Sequence, residues 1–173
     1  MSWMFYHVKK VESLDLTNFI TSNVITMSDM FNNMNALTDL KINSFNTSKV
    51  ENMDGMFSYL SSMKDLNIKN FDTSNVTNMY EMFDYSTSII ELDISNFNTS
   101  KVTDMSRMFE SCTNLKTIYV SDLFVTTAVE YGSNMFYNSE NLVGQSGKTY
   151  SYDTRGYEYA NYETGYFTYK AYP

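Results

Sequence analysis

Apolar and polar positions follow two different patterns along this chain, and both return at one fixed interval, the step from Leu14 to Leu40. Leu-x-Leu/Ile falls at Leu14/Leu16, Leu40/Ile42, Leu66/Ile68 and Leu92/Ile94, then as Ile118/Val120. Polar residues flank each pair, the period of two expected of a strand with one buried face. Phe19, Phe45, Phe71 and Phe97 come next, followed by Val24, Val50, Val76 and Val102. Each unit then closes on Met-x-x-Met-Phe, as in Met27/Met30/Phe31, Met53/Met56/Phe57, Met79/Met82/Phe83 and Met105/Met108/Phe109. With Met34, the first of these sets falls at i, i+3, i+4 and i+7, the spacing of one helical face. The Met34 column continues as Leu60, Ser86 and Cys112. Thr21/Ser22 and their copies precede the helical pattern, where hydroxyls cap backbone N–H groups or satisfy a turn.

Fixed apolar columns at a period of this size mark a solenoid, whose units bury their apolar sides only against one another. Strands that return after a whole unit stack in parallel. The expected fold is therefore an α/β repeat solenoid, with a parallel sheet of five strands on one side and short helices on the other. Residues 1–143 form the array, and 144–173 its C-terminal cap.

Both ends depart from the period. Met1, Met4 and Phe5 lie one full period before Met27, Met30 and Phe31, so the chain starts midway through a unit. This implies an array without its N-terminal part, able to associate end to end through an uncovered first coil. Trp3 shares a column with Asp29, Gly55, Glu81 and Arg107, and is expected either to cover the end of the stack or to touch a missing turn. In the last unit Phe124, Met135 and Phe136 come one residue late, and Gly132 stands where the first Met belongs. Five of six glycines and ten of fifteen tyrosines lie at or after Tyr131. Alternation in Tyr150/Tyr152, Tyr157/Tyr159 and Phe167/Tyr169 predicts short strands joined at Gly156 and Gly165, forming a Tyr-rich β-type cap over the last apolar columns. The other reading of these tyrosines is an aromatic platform for sugar rings.

Charge and chemistry narrow the function. A net charge of −8 over 173 residues works against nucleic acid and anionic membranes, both of which need a positive field. No apolar run approaches the roughly 20 residues of a membrane helix, so this segment is not expected to insert. His7 and Cys112 lie in incompatible columns, the first a variable edge and the second core, and cannot form a nucleophile–base pair. No phosphate loop or metal-ligand spacing occurs, and the Met columns read as core. Neither catalysis nor a cofactor is expected.

The most organised surface is the outward side of the sheet. Its candidate contact residues are Asp39, Lys41, Asp65, Asn67, Lys69, Glu91, Asp93 and Tyr119, with Tyr119 as the anchor. Asp39, Asp65 and Glu91 would stack about 4.8 Å apart and repel. Relief by Lys41, Lys64 and Lys69 is one expectation, and bound calcium the other.

The stretch Leu37-x-x-Leu40-x-Ile42-x-x-Phe45 resembles a leucine-rich-repeat core, with Phe where Asn would stand. NFDTSNVTNMYEMF, at residues 70–83, and its copies resemble the repeats of BspA-like leucine-rich-repeat surface proteins of bacteria. LVGQSGKTY (142–150) and GYFT (165–168) resemble the closing segment of such arrays. The resemblance implies a right-handed leucine-rich-repeat-like solenoid, secreted or on a cell surface, that adheres to a protein or glycan on a host or neighbouring cell. It brings no catalytic residues. The alternative is a structural spacer, or a self-assembling surface array without a specific ligand.

Overall fold

The computed structural model describes residues 1–172 as a stack of coils, one to each repeat. Successive coils bring a residue beside the one 26 positions on, as where the Ser13 hydroxyl meets the Asp39 carboxylate. Five short strands are β1 (Ser13–Asp15), β2 (Asp39–Lys41), β3 (Glu91–Asp93), β4 (Thr117–Val120) and β5 (Phe167–Tyr169). All pairings between them are parallel. Leu14 sits opposite Leu40 and Leu92 opposite Ile118, each one repeat apart.

The strands form two sheets, β1–β2 and β3–β4–β5, rather than one continuous sheet of five. Residues 65–69 still alternate exposed and buried, with Leu66 and Ile68 in the core. Yet none of the backbone N–H groups from Asp65 to Ile68 donates to an adjacent coil. The break falls where electrostatics opposes pairing. Pairing forms where Ser13 faces Asp39 and where Glu91 faces Thr117. It fails at the two steps where carboxylates would meet, Asp39 with Asp65 and Asp65 with Glu91. Opposed like charges at strand spacing cost about 1 kcal/mol in water and about 3 to 4 at an effective dielectric near 20.

The side opposite the strands contains no α-helix among the described residues, which corrects the helical reading. Asp29, Gly55, Glu81, Arg107 and Asn134 all have φ between 52° and 59°. Asn33, Tyr59, Tyr85, Ser111 and Asn138 form a second left-handed column, at 53–65°. A left-handed residue at every fourth position turns the chain so that two side chains point in and two out. Met27, Met30, Phe31 and Met34 are thereby all fully buried, and the in–out pattern copies that of a helix. The hydrogen bonds differ. Alternate amides reach the next coil, Met27 to the Asn52 carbonyl, Asp29 to Asp54, Phe31 to Met56 and Asn33 to Ser58, at 2.8–3.1 Å. Parallel bridges join Thr26, Asn52, Asn78, Asp104 and Tyr131 without interruption. This back ladder, more than the sheet, ties the coils together.

Inside, Phe5, Phe31, Phe57, Phe83, Phe109 and Phe136 stack with centroids 5.6–5.8 Å apart and planes within 11°. Thr21, Thr47 and Thr73 each use one hydroxyl to bond both the carbonyl and, for the first two, the amide of the residue 25 positions on. Thr99 reaches Val125 instead, 26 positions on, which places the extra residue of the last coil before Val125. Cys112 is core, and burial pushes its thiol up from the ordinary range. Trp3 is no cover for the stack: it is 65 % exposed, and its indole N–H donates to the Asp29 carboxylate.

The C-terminal segment closes the other end. Of the three expected strands only Phe167–Tyr169 forms, and it pairs with β4. Tyr152–Thr154 and Tyr157–Tyr159 are single 3-10 turns. Phe167 meets Phe136 and Phe124 edge-on, at 5.8 and 4.9 Å, so an in-register stack of rings ends against a ring turned across it.

Candidate functional site: the open sheet face

Leucine and isoleucine pin the inner side of each strand to the core, which leaves the outer side chains in fixed rows. Because residues 65–69 pair with neither neighbour, a cleft runs along each side of them. One, of about 450 Å³, is lined by Asp39, Lys41, Asp65 and Asn67 among others. The second, of about 300 Å³, is lined by Asp65, Asn67, Lys69, Glu91, Asp93 and Tyr119, together with Lys170. All eight candidate residues named from the sequence therefore line one cleft or the other.

The charges are arranged differently from expectation. Lys41 pairs with Asp15 at 3.5 Å, and Lys69 lies 3.7 Å from Asp93. Both lysines serve the neighbouring row of carboxylates and not the Asp39, Asp65, Glu91 column. In that column Asp39 accepts a hydrogen bond from the Ser13 hydroxyl at 2.9 Å. The Asp65 and Glu91 carboxylates have no hydrogen-bond or ion-pair partner among the described residues. The column is relieved by strand separation. No group of three or more His, Cys, Asp or Glu side chains placed to hold a metal ion occurs among the described residues.

Lys170 is the residue that sequence reasoning missed. The pairing of β5 with β4 carries its ammonium to Asp93, at 2.6 Å, and over the Tyr119 ring, 5.3 Å from the centroid. Partial burial, the largest single influence, pushes the Asp93 carboxyl up. Hydrogen bonds from Lys170 and Ser95 outweigh it and hold that carboxyl below its ordinary value. Lys170 is raised in turn, first by that bond. Tyr119 is accordingly half-buried under a cation and not a freely exposed anchor. Alternation at Phe167 and Tyr169 signalled the strand; nothing local signalled its neighbour. Asp15, further along the face, is also held low, chiefly by the Thr17 hydroxyl and amide and then by Lys41.

With most cations neutralised by Asp15 and Asp93, the face offers free carboxylates at Asp65 and Glu91, the Asn67 amide between them, and unpaired backbone groups.

The family described as Mycoplasma protein of unknown function, DUF285, matches residues 1–115 and again 60–164. No curated protein matches the chain. Among solved structures, a leucine-rich-repeat protein of T. pallidum superposes with a TM-score of 0.55 at 15 % identity. The match covers 83 % of this chain and 60 % of the other, so the chain spans under two thirds of that protein's length. The likeness shows a leucine-rich-repeat-like fold.

Proposed function

Since this chain belongs to the Mycoplasma DUF285 family and has a leucine-rich-repeat-like fold, we propose that it is a non-enzymatic binding module whose open sheet face takes a partner protein with a basic surface. The observation that carries this reading is the pair of clefts around Asp65–Lys69, with the Asp65 and Glu91 carboxylates left without cations. Lys or Arg side chains of a partner would supply the charge that the face lacks, and complementary fields steer such encounters. The resemblance of NFDTSNVTNMYEMF to BspA-like repeats supports a bacterial cell-surface or secreted location, and adhesion to a host or neighbouring cell as the use of that binding.

The test begins with a partner cross-linked and identified from cell-surface extracts, then titrated with purified chain. Asp65→Lys/Glu91→Lys should weaken binding by at least about tenfold, roughly 1.4 kcal/mol, and flatten its salt dependence. Unchanged affinity in this double variant would remove the sheet face as the site.

A second reading, an array that assembles end to end without a ligand, has one observation on its side. Ile20 and Ile25, on the first coil, are 90 % and 58 % exposed. Ile20→Ser/Ile25→Ser would abolish concentration-dependent assembly under this reading and leave partner binding intact under the first.

A further inference from the structure

The last coil surrenders a core position, and the C-terminal segment builds a further recess there, away from the sheet face. Gly132 stands in the column of Met27, Met53, Met79 and Met105. A Cβ at Gly132 would come 2.6 Å from Tyr157 Cβ, so the missing side chain is what admits Tyr157. The Tyr157 amide donates to the Gly132 carbonyl at 3.1 Å. Beside this contact lies an open recess of about 580 Å³, at the end of the back ladder, sharing no residue with the two clefts of the sheet face.

Two features set it apart from packed core. The Tyr131 and Tyr152 rings that line it are each 62 % exposed, whereas the ring column from Phe31 to Phe136 is fully buried. Its charged groups are three carboxylates, Glu130, Asp153 and Glu158, against the single guanidinium of Arg155. That guanidinium lies 4.0 Å from the Tyr152 centroid, which holds the ring in place by a cation–π contact.

We propose that this recess binds a neutral saccharide. A sugar ring has an apolar C–H face that packs on a phenol ring, and a rim of hydroxyls that donate to carboxylate and amide oxygens. Tyr131 and Tyr152 supply the first kind of surface; the three carboxylates supply the second. The excess of two negative charges repels uronic, sialic or sulfated sugars. The volume falls within the roughly 300–1,000 Å³ of small-molecule sites, suited to the end of an oligosaccharide and not to a protein surface. The site is independent of the partner proposed for the sheet face.

The experiment titrates the intact chain with cellotriose, maltotriose, N-acetylchitotriose and lacto-N-tetraose, with sialyllactose as the anionic counterpart. Heat of binding and amide chemical shifts are read together. At least one neutral probe should bind, shifting the amides of Tyr131 and Tyr152. Tyr131→Ala and Tyr152→Ala should each weaken it about tenfold, while Asp65→Lys on the sheet face leaves it unchanged. The proposal is overturned if no neutral probe binds more tightly than about 10 mM, if sialyllactose binds more tightly than all of them, or if shifts map elsewhere. Because the shift map uses the unmodified chain, the result does not depend on the variants folding.

Discussion

Phe83 and Phe109, one repeat apart in sequence, place their rings 5.6 Å apart with parallel planes. Each is one rung of a column running from Phe5 to Phe136, so removing one ring leaves a void shared by the two flanking coils. Phe83→Ala should lower stability by about 3 to 5 kcal/mol, and Met82→Ala by about 2 to 5. Lys101→Ala, at an exposed site bonded only to Asn75, should change it little. Denaturant melts of the three variants check this, and equal shifts would contradict the column.

The left-handed column gives a prediction whose size separates this fold from a helix. Ser111 has φ of 54°, a conformation that costs a residue with a Cβ about 1 to 2 kcal/mol. Ser111→Gly relieves this strain but removes the hydrogen bond its hydroxyl accepts from Asn138, so it should be near neutral, whereas glycine in a helix would add a cost of about 1 kcal/mol to the loss of that bond. Gly55→Ala should destabilise, since its φ is 59° and the new Cβ would collide with the Asp29 carboxylate. Thermal melting of both variants decides the matter.

Asp84 predicts a pH dependence. It is 4 % exposed with an unpartnered Oδ1; burial first, then the Glu81 and Glu110 charges, pushes its carboxyl up to about 8. The unfolded chain releases that proton near the ordinary 3.8. Between those values the folded state holds one more proton, so stability falls as pH rises, by at most about 1.4 kcal/mol per pH unit. Asp84→Asn should flatten the decline in melting temperature between pH 5 and 8. An unchanged slope would show that Asp84 is ionised in the folded state.

The C-terminal segment should be needed to keep the last coil from water. Phe136, Phe124 and Leu142 are buried, the first two against Phe167. Deletion of residues 144–173 should expose them and cause aggregation, visible as dye binding and loss of the monomer peak in size-exclusion chromatography. A truncated chain that stays monomeric and melts like the full one would contradict this packing.

Most of the stack was legible because a repeat reports on itself: Leu14, Leu40, Leu92 and Ile118 recur in register, and the paired strands match them. The back was misread for a physical reason. Met27, Met30, Phe31 and Met34 carry the same in–out order whether the chain coils as a helix or turns at left-handed residues. The order of burial alone does not reveal which carbonyl each amide meets. The chemical hint was diluted: Asp29, Gly55, Asn134, Asn33 and Asn138 are of types that tolerate positive φ, but Glu81, Arg107, Tyr59 and Tyr85 share those columns. The acidic column at Asp39, Asp65 and Glu91 was visible in the sequence, but its outcome was not, because lysine pairing and strand separation relieve the same repulsion. Lys170 was hidden altogether, since only the register of β5 beside β4 places it over Tyr119.

The central claim is that carboxylate repulsion opens the sheet at Asp65–Ile68 while the back ladder holds the coils, leaving a face free to bind. Residue-resolved amide hydrogen exchange on the chain and its Asp65→Thr variant tests it most directly. The account predicts fast exchange at Leu66, Asn67 and Ile68, slow exchange at Met53, Phe57, Met79 and Phe83, and newly slowed exchange at residues 66–68 once Asp65 no longer faces Asp39 and Glu91. Protection at 66–68 in the unmodified chain equal to that at Leu92 and Ile94, or no gain in the variant, would contradict it.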